Sequence, residues 1–433
     1  MDWKIRKQEQ GLKGELEVPP DKSISHRSVI LGAISNGKCR VKNFLFGEDC
    51  LSTIEAFRSL GIQIDADGKD IIVHGRGVTD FQKPKKALYL GNSGTTMRIL
   101  SGVLAGQDFD TRLRGDESLT ARPMRRIIDP LSKMGAIIES EGNEGHAPLY
   151  IRGGNKLTGI NFVMPVASAQ VKSCVLIAGL YAAGKTTVHE PYQSRDHTER
   201  MLEYFSADIK RKGLQTEITG SKPLIPKDIE VPADISSAAF FIIAALLIKD
   251  SRIVLRNVGL NPTRTGLINV LKKMGGKIRI FDHKDGIEPR GNLEISHSDL
   301  SAIVVEKEEI PLLIDEIPIL ALAALAAKGK TIVRSVSELK VKETDRVRSI
   351  CENFRRMGAE IKESGEDLII QGDLKNSRAA EFDSFGDHRI AMTLAMASLL
   401  VPGESKIKNT ICVKTSYPDF LCDLKKLYGF RKL

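Results

Sequence analysis

Residues Ser236–Asp250 read SSAAFFIIAALLIKD, and from Ala238 to Ile248 every one is apolar. A helix built from this stretch is apolar all round, so it must be buried on every side. The run falls short of the roughly 20 residues that span a bilayer, so protein has to surround it. The same design, an apolar segment with a polar opening, occurs five more times: SISHRSVILGAISNG, NSGTTMRILSGVLAG, SAQVKSCVLIAGLYAAG, DEIPILALAALAAKG and DHRIAMTLAMASLLVPG. The openings fall at Ser23, Ser93, Ser168, Ser236, Asp315 and Asp387, so the pattern recurs every ~70–80 residues.

Each segment is followed by a strand-like run: CRVKNF, TRLRGD, TTVHEP, RIVLRNV, TIVRSV and KIKNT. Next comes an amphipathic helix whose end reads RSLGIQI, SKMGAII, EYFSADI, KKMGGKI, RRMGAEI or KKLYGF. Met-Gly or Leu-Gly before a β-branched residue is a helix stop leading into a strand. The third and sixth copies are the loosest. The chain therefore reads as six α/β repeats, with sheet wrapped around several buried helices. Three repeats per domain give two similar globules. Pro223 and Pro226 precede the strand-like IEVPAD, and GELEVPP precedes the first polar motif. The expected domains are 21–231 and 1–20 with 232–433. The chain crosses between them at Pro19–Asp21 and Val231–Asp234, where a hinge is expected.

The length, 433 residues, exceeds what one hydrophobic core normally serves. The N-terminus, MDWKIRKQEQ, has no signal-peptide core, which points to a cytoplasmic protein. Cys39, Cys50, Cys174, Cys351, Cys412 and Cys422 show no metal-ligand spacing and no disulfide framework, and no metal is expected. The net charge of +9 is dispersed, and aromatics are only 5%. That argues against nucleic acid and for a site that takes small acidic molecules. Neither a nucleic-acid nor a membrane partner is expected, and a monomer is the expected form.

The polar openings carry residues that capping alone does not need. They include Lys22, Ser23, His26 and Arg27; Asn92, Ser93, Gly94 and Arg98; Ser168, Gln170 and Lys172; Asp315 and Glu316; and Asp387, His388 and Arg389. The serines read equally well as plain N-caps. Lys22, Arg27 and Arg389 do not, because a cation opposes the dipole at a helix start. Helix N-termini with added lysine and arginine make anion sites. Gly94 allows a ligand close to the backbone. Two further stretches stand out. Val341–Arg346 could be a solvated helix start with a Glu343–Arg346 pair. Arg122, before Pro123, could be a plain loop arginine.

The motifs DKSISHR, LGNSGTTMR, GDESLTARPM, SAQVKS, VKETDR, GDHRIAM and SYPDF occur in this order along the whole chain. Together they resemble the 5-enolpyruvylshikimate-3-phosphate synthase family. The resemblance implies an α/β fold of two similar domains, each of three βαβαββ units with sheets around buried parallel helices, an inside-out α/β barrel. It implies transfer of the enolpyruvyl group of phosphoenolpyruvate to the 5-hydroxyl of shikimate 3-phosphate, with release of phosphate and no cofactor. By resemblance, Lys22, Gly94, Arg122, Gln170, Arg346 and Arg389 hold phosphoenolpyruvate. Lys22, Ser23, Arg27, Ser168, Ala169, Gln170, Ser194, Asp315 and Lys342 hold shikimate 3-phosphate. Lys22, Asp315, Glu343 and His388 are the catalytic candidates. Glu343 is the candidate acid at the methylene carbon and Asp315 the base or orienter at the hydroxyl. Asn92 and Lys414 are weaker candidates. With site residues in both halves, ligand-driven domain closure is expected. The family's first motif usually reads Gly-Ser-Lys; here it is Pro20-Asp21-Lys22, which keeps the lysine.

Asp21-Lys22-Ser23, Ser168–Lys172, Arg195–Glu199 and Asn261–Arg264 are similar to motifs of the family's glyphosate-tolerant class. Position 94 lacks the alanine that can crowd that inhibitor, so tolerance would have to come from nearby loops, through Thr95 or Thr96. The nearest alternative is UDP-N-acetylglucosamine enolpyruvyl transferase, but LRGDESLTARP contains no catalytic cysteine. An RNA 3′-phosphate cyclase would need a late nucleotide-accepting histidine besides His388. A non-enzymatic anion-binding scaffold would have no use for Glu343 or Asp315.

Overall fold

The structure, a computed structural model of the chain, describes residues 2–142, 144–220 and 222–428. The chain divides into two compact domains. One is Pro20–Val231; the other is Pro232 onward together with the residues up to Pro19. Among the described residues no helix is long and apolar enough to cross a membrane.

The six apolar segments form the helices Lys22–Ala33, Gly94–Leu104, Ala169–Gly179, Ile235–Leu247, Ile317–Ala326 and His388–Ser398. These are the core helices. In the fourth, every residue from Ile235 to Leu246 is buried; in the fifth, every one from Ile317 to Leu325. Each large apolar side chain so buried contributes about 1.5–3 kcal/mol, which is why an all-apolar helix settles at the centre rather than on a surface. The amphipathic partners are Glu48–Ser59, Arg125–Lys133, His197–Tyr204, Gly266–Lys273, Arg346–Arg356 and Phe420–Lys426. Four of them stop on a glycine at positive φ: Gly61, Gly135, Gly275 and Gly358. In the third repeat Ser206 takes the left-handed conformation instead, at φ 65°. A side chain there is strained, which explains why this copy looks loose in sequence. The glycine expected to end the sixth repeat's helix, Gly429, lies outside the described residues.

Among the described residues there are six sheets, one per repeat, packed on the core helices. The second repeat shows the plan. Leu88–Tyr89 pairs in parallel with Thr111–Arg114, the core helix forming the crossover between them. Leu149–Arg152 then pairs antiparallel with Thr111–Arg114, and Ile137–Ser140 antiparallel with Leu149–Arg152. A parallel pair needs such a crossover, and the helix supplies it. Three strands come from elsewhere in the chain. Ile229–Glu230 closes the first repeat's sheet on Asn36–Lys42. Lys13–Leu16 serves the fourth repeat by pairing with Arg252–Gly259. Trp3–Arg6 pairs with Glu404–Lys408 in the sixth, which has three strands. These two pairings tie the N-terminal residues to the later domain. In the SYPDF motif the aromatics prove to be core, while Pro418 and Asp419 are exposed. Tyr417 and Phe420 are fully buried, Phe420 stacks on Trp3 at 5.8 Å, and Tyr417 donates to Asp423 at 2.9 Å.

The helix starts differ from the expected ones in three repeats. Asp21, not Ser23, caps the first core helix, its carboxylate accepting from Ile24 N at 2.9 Å. Asp234, not Ser236, caps the fourth. Asp315 lies in the 3₁₀ turn Ile314–Glu316 ahead of the fifth. Ser93 and Ser168 are caps as read from the sequence, and Asp387 caps the sixth core helix.

Candidate active site

In the Pro20–Val231 domain, hydrogen bonds tie the starts of the three core helices together. Arg27, buried one turn into the first helix, donates to Thr198 Oγ1 at 2.7 Å, to the Ser23 carbonyl at 3.0 Å and to Ser173 Oγ at 3.0 Å. Ser173 belongs to the third helix. Gln170, at that helix's first turn, donates to Thr95 Oγ1 at 2.9 Å and accepts from Arg98, both on the second. Arg98 also reaches the Pro123 carbonyl at 3.3 Å. Arg122 donates to Asn92 Oδ1 at 2.5 Å and Ser118 Oγ at 3.3 Å, and Asn92 donates to Asp116 at 2.9 Å. Gly94 sits under this group: a methyl added to it would stand 3.1 Å from an Arg122 guanidinium nitrogen.

The cations at the first helix start have distinct fates. Lys22 is mostly buried and pairs with Asp49 at 3.0 Å; with the Asp21 cap, this offsets the clash with the helix dipole. His26 is fully buried, 2.7 Å from Thr53 Oγ1, which meets Thr96 Oγ1 at 2.7 Å. Burial first, and then Lys22 and Arg27, push its pKa well below the ordinary 6.5. It is a neutral core imidazole. Thr96 is fully buried in the same chain, meeting Ser93 Oγ at 2.6 Å, so it does not project toward a ligand. Thr95 is the partly exposed member of that pair.

Ser168, Ala169 and Gln170 are half-buried at the third helix start. Ser194 is buried, and its hydroxyl and amide N–H both donate to Glu190 Oε1. Arg195 follows it on the same loop, half-buried.

In the other domain the centre is Arg346, with 1% of its side chain exposed. Its Nε donates to Asp387 Oδ2 at 2.7 Å, one terminal nitrogen to Asp315 Oδ1 at 3.1 Å and the other to Glu343 Oε2 at 2.6 Å. Burial works against its charge, but Asp387, Glu343 and Asp315 outweigh burial and raise its pKa. The Glu343–Arg346 pair is therefore no solvated helix decoration. Arg389 donates to the Asp315 carbonyl at 3.4 Å and lies 3.7 Å from its carboxylate and 3.8 Å from that of Glu316. Lys342 Nζ lies 3.8 Å from Asp315. His388, buried, is the first residue of its helix. Ser236 donates to Glu316 and accepts from Arg264 at 2.7 Å; Arg264 also reaches Asp234 at 3.1 Å. Lys414 is exposed in the 3₁₀ turn Thr410–Thr415.

One arginine thus gathers Asp315 and Glu343, two of the four catalytic candidates, with Asp387 as a third carboxylate. Asp387 was legible only as part of a polar helix opening; one of its oxygens caps the helix and the other holds Arg346. Asp49, the partner of Lys22, gave no signal in the sequence.

Two domains of three α/β repeats, with cations and carboxylates gathered at the starts of the buried helices, define the enolpyruvyl transferase architecture. The enolpyruvyl transferase NikO from Streptomyces tendae shares the fold at TM-score 0.79 and 18% identity, over 98% of this chain and 97% of that one. The chain belongs to the EPSP synthase (3-phosphoshikimate 1-carboxyvinyltransferase) family, whose model matches residues 6–424. It is 48% identical to the 3-phosphoshikimate 1-carboxyvinyltransferase of Bacillus cytotoxicus over 97% of its own length and 99% of that protein's. The Bacillus subtilis protein of the same name is also 48% identical, over 96% and 98%. EPSP synthase from Acinetobacter baumannii superposes at TM-score 0.87 with 42% identity, over 98% of each chain. The chain is a transferase, and these relatives favour the shikimate reading over the UDP-N-acetylglucosamine alternative.

Proposed function

We propose that the chain transfers the carboxyvinyl group of phosphoenolpyruvate to the 5-hydroxyl of shikimate 3-phosphate. The hydroxyl oxygen bonds to the central carbon of phosphoenolpyruvate while the methylene carbon takes up a proton. The tetrahedral adduct then loses a methyl proton and phosphate, and the double bond re-forms. Both substrates are phosphorylated carboxylates, which arginine and lysine recognise, arginine in planar, bidentate fashion.

The observation that supports the reading is the Arg346 cluster, which gathers Asp315 and Glu343, two carboxylates able to exchange protons. Asp315 takes or orients the hydroxyl proton. Glu343 exchanges the proton at the methylene carbon. Its bond to Arg346 favours the ionised form, which suits removal of the methyl proton in the elimination step; for the addition step it must first acquire a proton. Lys22 and His388 assist proton transfer and stabilise the leaving phosphate. Lys22, Gly94, Arg122, Gln170, Arg346 and Arg389 bind phosphoenolpyruvate. Ser23, Arg27, Ser168, the Ala169 N–H, Gln170, Ser194, Lys342 and Asp315 bind shikimate 3-phosphate, with Lys22 shared. Asn92 acts through Arg122, which it holds. We assign the chain to the glyphosate-tolerant class on its four motifs, with competition against phosphoenolpyruvate as the check.

The test is phosphate release from phosphoenolpyruvate with shikimate 3-phosphate as acceptor. Release is expected. Folded protein that releases none, or releases it only with UDP-N-acetylglucosamine, refutes the reading.

A further inference from the structure

The Ser-Ala-Gln-x-Lys and Arg-x-His-x-Glu motifs meet inside the Pro20–Val231 domain. Lys172 is fully buried, with its Nζ 2.6 Å from Glu190 Oε2 and 2.6 Å from Glu199 Oε1. Burial opposes its charge, and the two carboxylates outweigh burial and raise its pKa. The carboxylates are not equivalent. Glu190 turns its other oxygen, Oε1, to Ser194, accepting from the amide at 3.2 Å and from the hydroxyl. The other oxygen of Glu199 accepts no hydrogen bond among the described residues. Lys172 lies within one turn of Ser168, to whose carbonyl its amide is bonded at 3.0 Å. Glu190 therefore joins the loop that carries Ser194 and Arg195 to the helix start that carries Ser168, Ala169 and Gln170.

We propose that Glu190 is a positioning residue for shikimate 3-phosphate, an inference that rests on the reading that these two segments bind that substrate. One carboxylate oxygen fixes it to Lys172 and the other fixes Ser194. Only a carboxylate does both, since an amide has one acceptor oxygen and turns donors to the other side. Glutamine at 190 must point its NH₂ at the Lys172 ammonium or at the Ser194 N–H, and either choice releases the loop. Glutamine at 199 keeps its carbonyl on Lys172 and turns its NH₂ to the side where no bond is lost.

The experiment measures steady-state constants and the calorimetric Kd for shikimate 3-phosphate in the unmodified protein and in Glu190→Gln, Glu190→Asp and Glu199→Gln. Glu190→Asp keeps both oxygens but withdraws them by about 1.5 Å, one C–C bond, and guards against failure of Glu190→Gln to fold. The inference expects the KM and Kd for shikimate 3-phosphate to rise about tenfold in Glu190→Gln, the loss of one charge-assisted hydrogen bond. Glu190→Asp should raise them at least about threefold, and Glu199→Gln should leave them within about twofold, on the same ground. In all three, kcat and the KM for phosphoenolpyruvate should change less than about threefold, because a positioning effect confined to one substrate is uniform binding. Equal effects of the two glutamine variants, or no rise in either Glu190 variant, overturns the inference alone. An unmodified protein that neither binds shikimate 3-phosphate nor releases phosphate overturns the functional reading and the inference with it.

Discussion

The two domains share a repeat plan but spend their buried arginines differently. In Pro20–Val231, buried Arg27 and Arg122 and the half-buried Arg98 donate to hydroxyls, amide oxygens and carbonyls in the bonds given above. In the other domain, Arg346 donates to three carboxylates, and Arg389 lies near one of them, Asp315, and near Glu316. Arg346, bonded to three carboxylates, holds them together and fixes their orientation. On the function proposed above, the helix starts of one domain would serve chiefly anion binding and those of the other proton transfer.

The sharpest way to break this comparison is Arg346→Leu. It leaves Asp315, Glu343 and Asp387 together without their cation. Removing one partner of a buried pair costs about 3–5 kcal/mol, so the melting temperature should fall and turnover drop below detection. A thermal melt that does not move would show the cluster to be loosely coupled.

Glu343→Gln should be gentler on the fold, because the amide carbonyl still accepts from Arg346. Turnover should fall by about 10²–10⁴, the range for loss of a general acid or base, while phosphoenolpyruvate still binds. Near-normal turnover removes Glu343 from proton transfer.

On the neutral-acceptor side the expected signature is binding rather than chemistry. Arg122→Ala should raise the KM for phosphoenolpyruvate by about 10–100-fold, the size of a lost charge-assisted contact, with a smaller change in kcat. A kcat loss at unchanged KM would put Arg122 with the proton-handling group and dissolve the distinction.

The smallest effect is on pH dependence. His26 is held neutral, its folded-state pKa lowered from 6.5. Below that pH the unfolded chain takes up a proton that the folded chain refuses, so this contribution to stability is lost as pH falls through 6.5. The slope is at most about 1.4 kcal/mol per pH unit for one proton. His26→Asn should flatten the stability profile between about pH 5 and 6.5 by up to that amount. An unaltered profile would mean that His26 titrates in the folded state.

The core was legible because an all-apolar helix has one physical destination. Ile235–Leu247 and Ile317–Ala326 are buried as their composition demands, and the glycine stops are where a left-handed residue ends a helix. Two caps were misread because Asp21 and Asp234 stand two residues ahead of an equally good capping serine, and the fifth helix start shifted because Asp315 opens a 3₁₀ turn instead. Residue type alone cannot choose between neighbouring caps; that depends on where the backbone leaves its extended conformation. Among site candidates, residue type marked Lys22, Arg27 and Arg389 as out of place for a plain helix start, whereas Arg122 and the Glu343–Arg346 pair read equally well as an ordinary loop and helix start. Residue type marked His26 too, and tertiary contact with Thr53 made that one a core group.

What the sequence determined by itself is periodic and local: six repeats, their buried helices, their glycine stops, and which helix starts carry charge. These follow from side-chain polarity and backbone preference over a few neighbouring residues. Only the tertiary structure decided which partners each charge has. Lys172 meets Glu190 and Glu199, Lys22 meets Asp49, and Arg346 meets Asp387 across distances of 18 to 41 positions in the chain. An ion pair depends on separation in space and on burial, and neither quantity is carried by spacing along the chain.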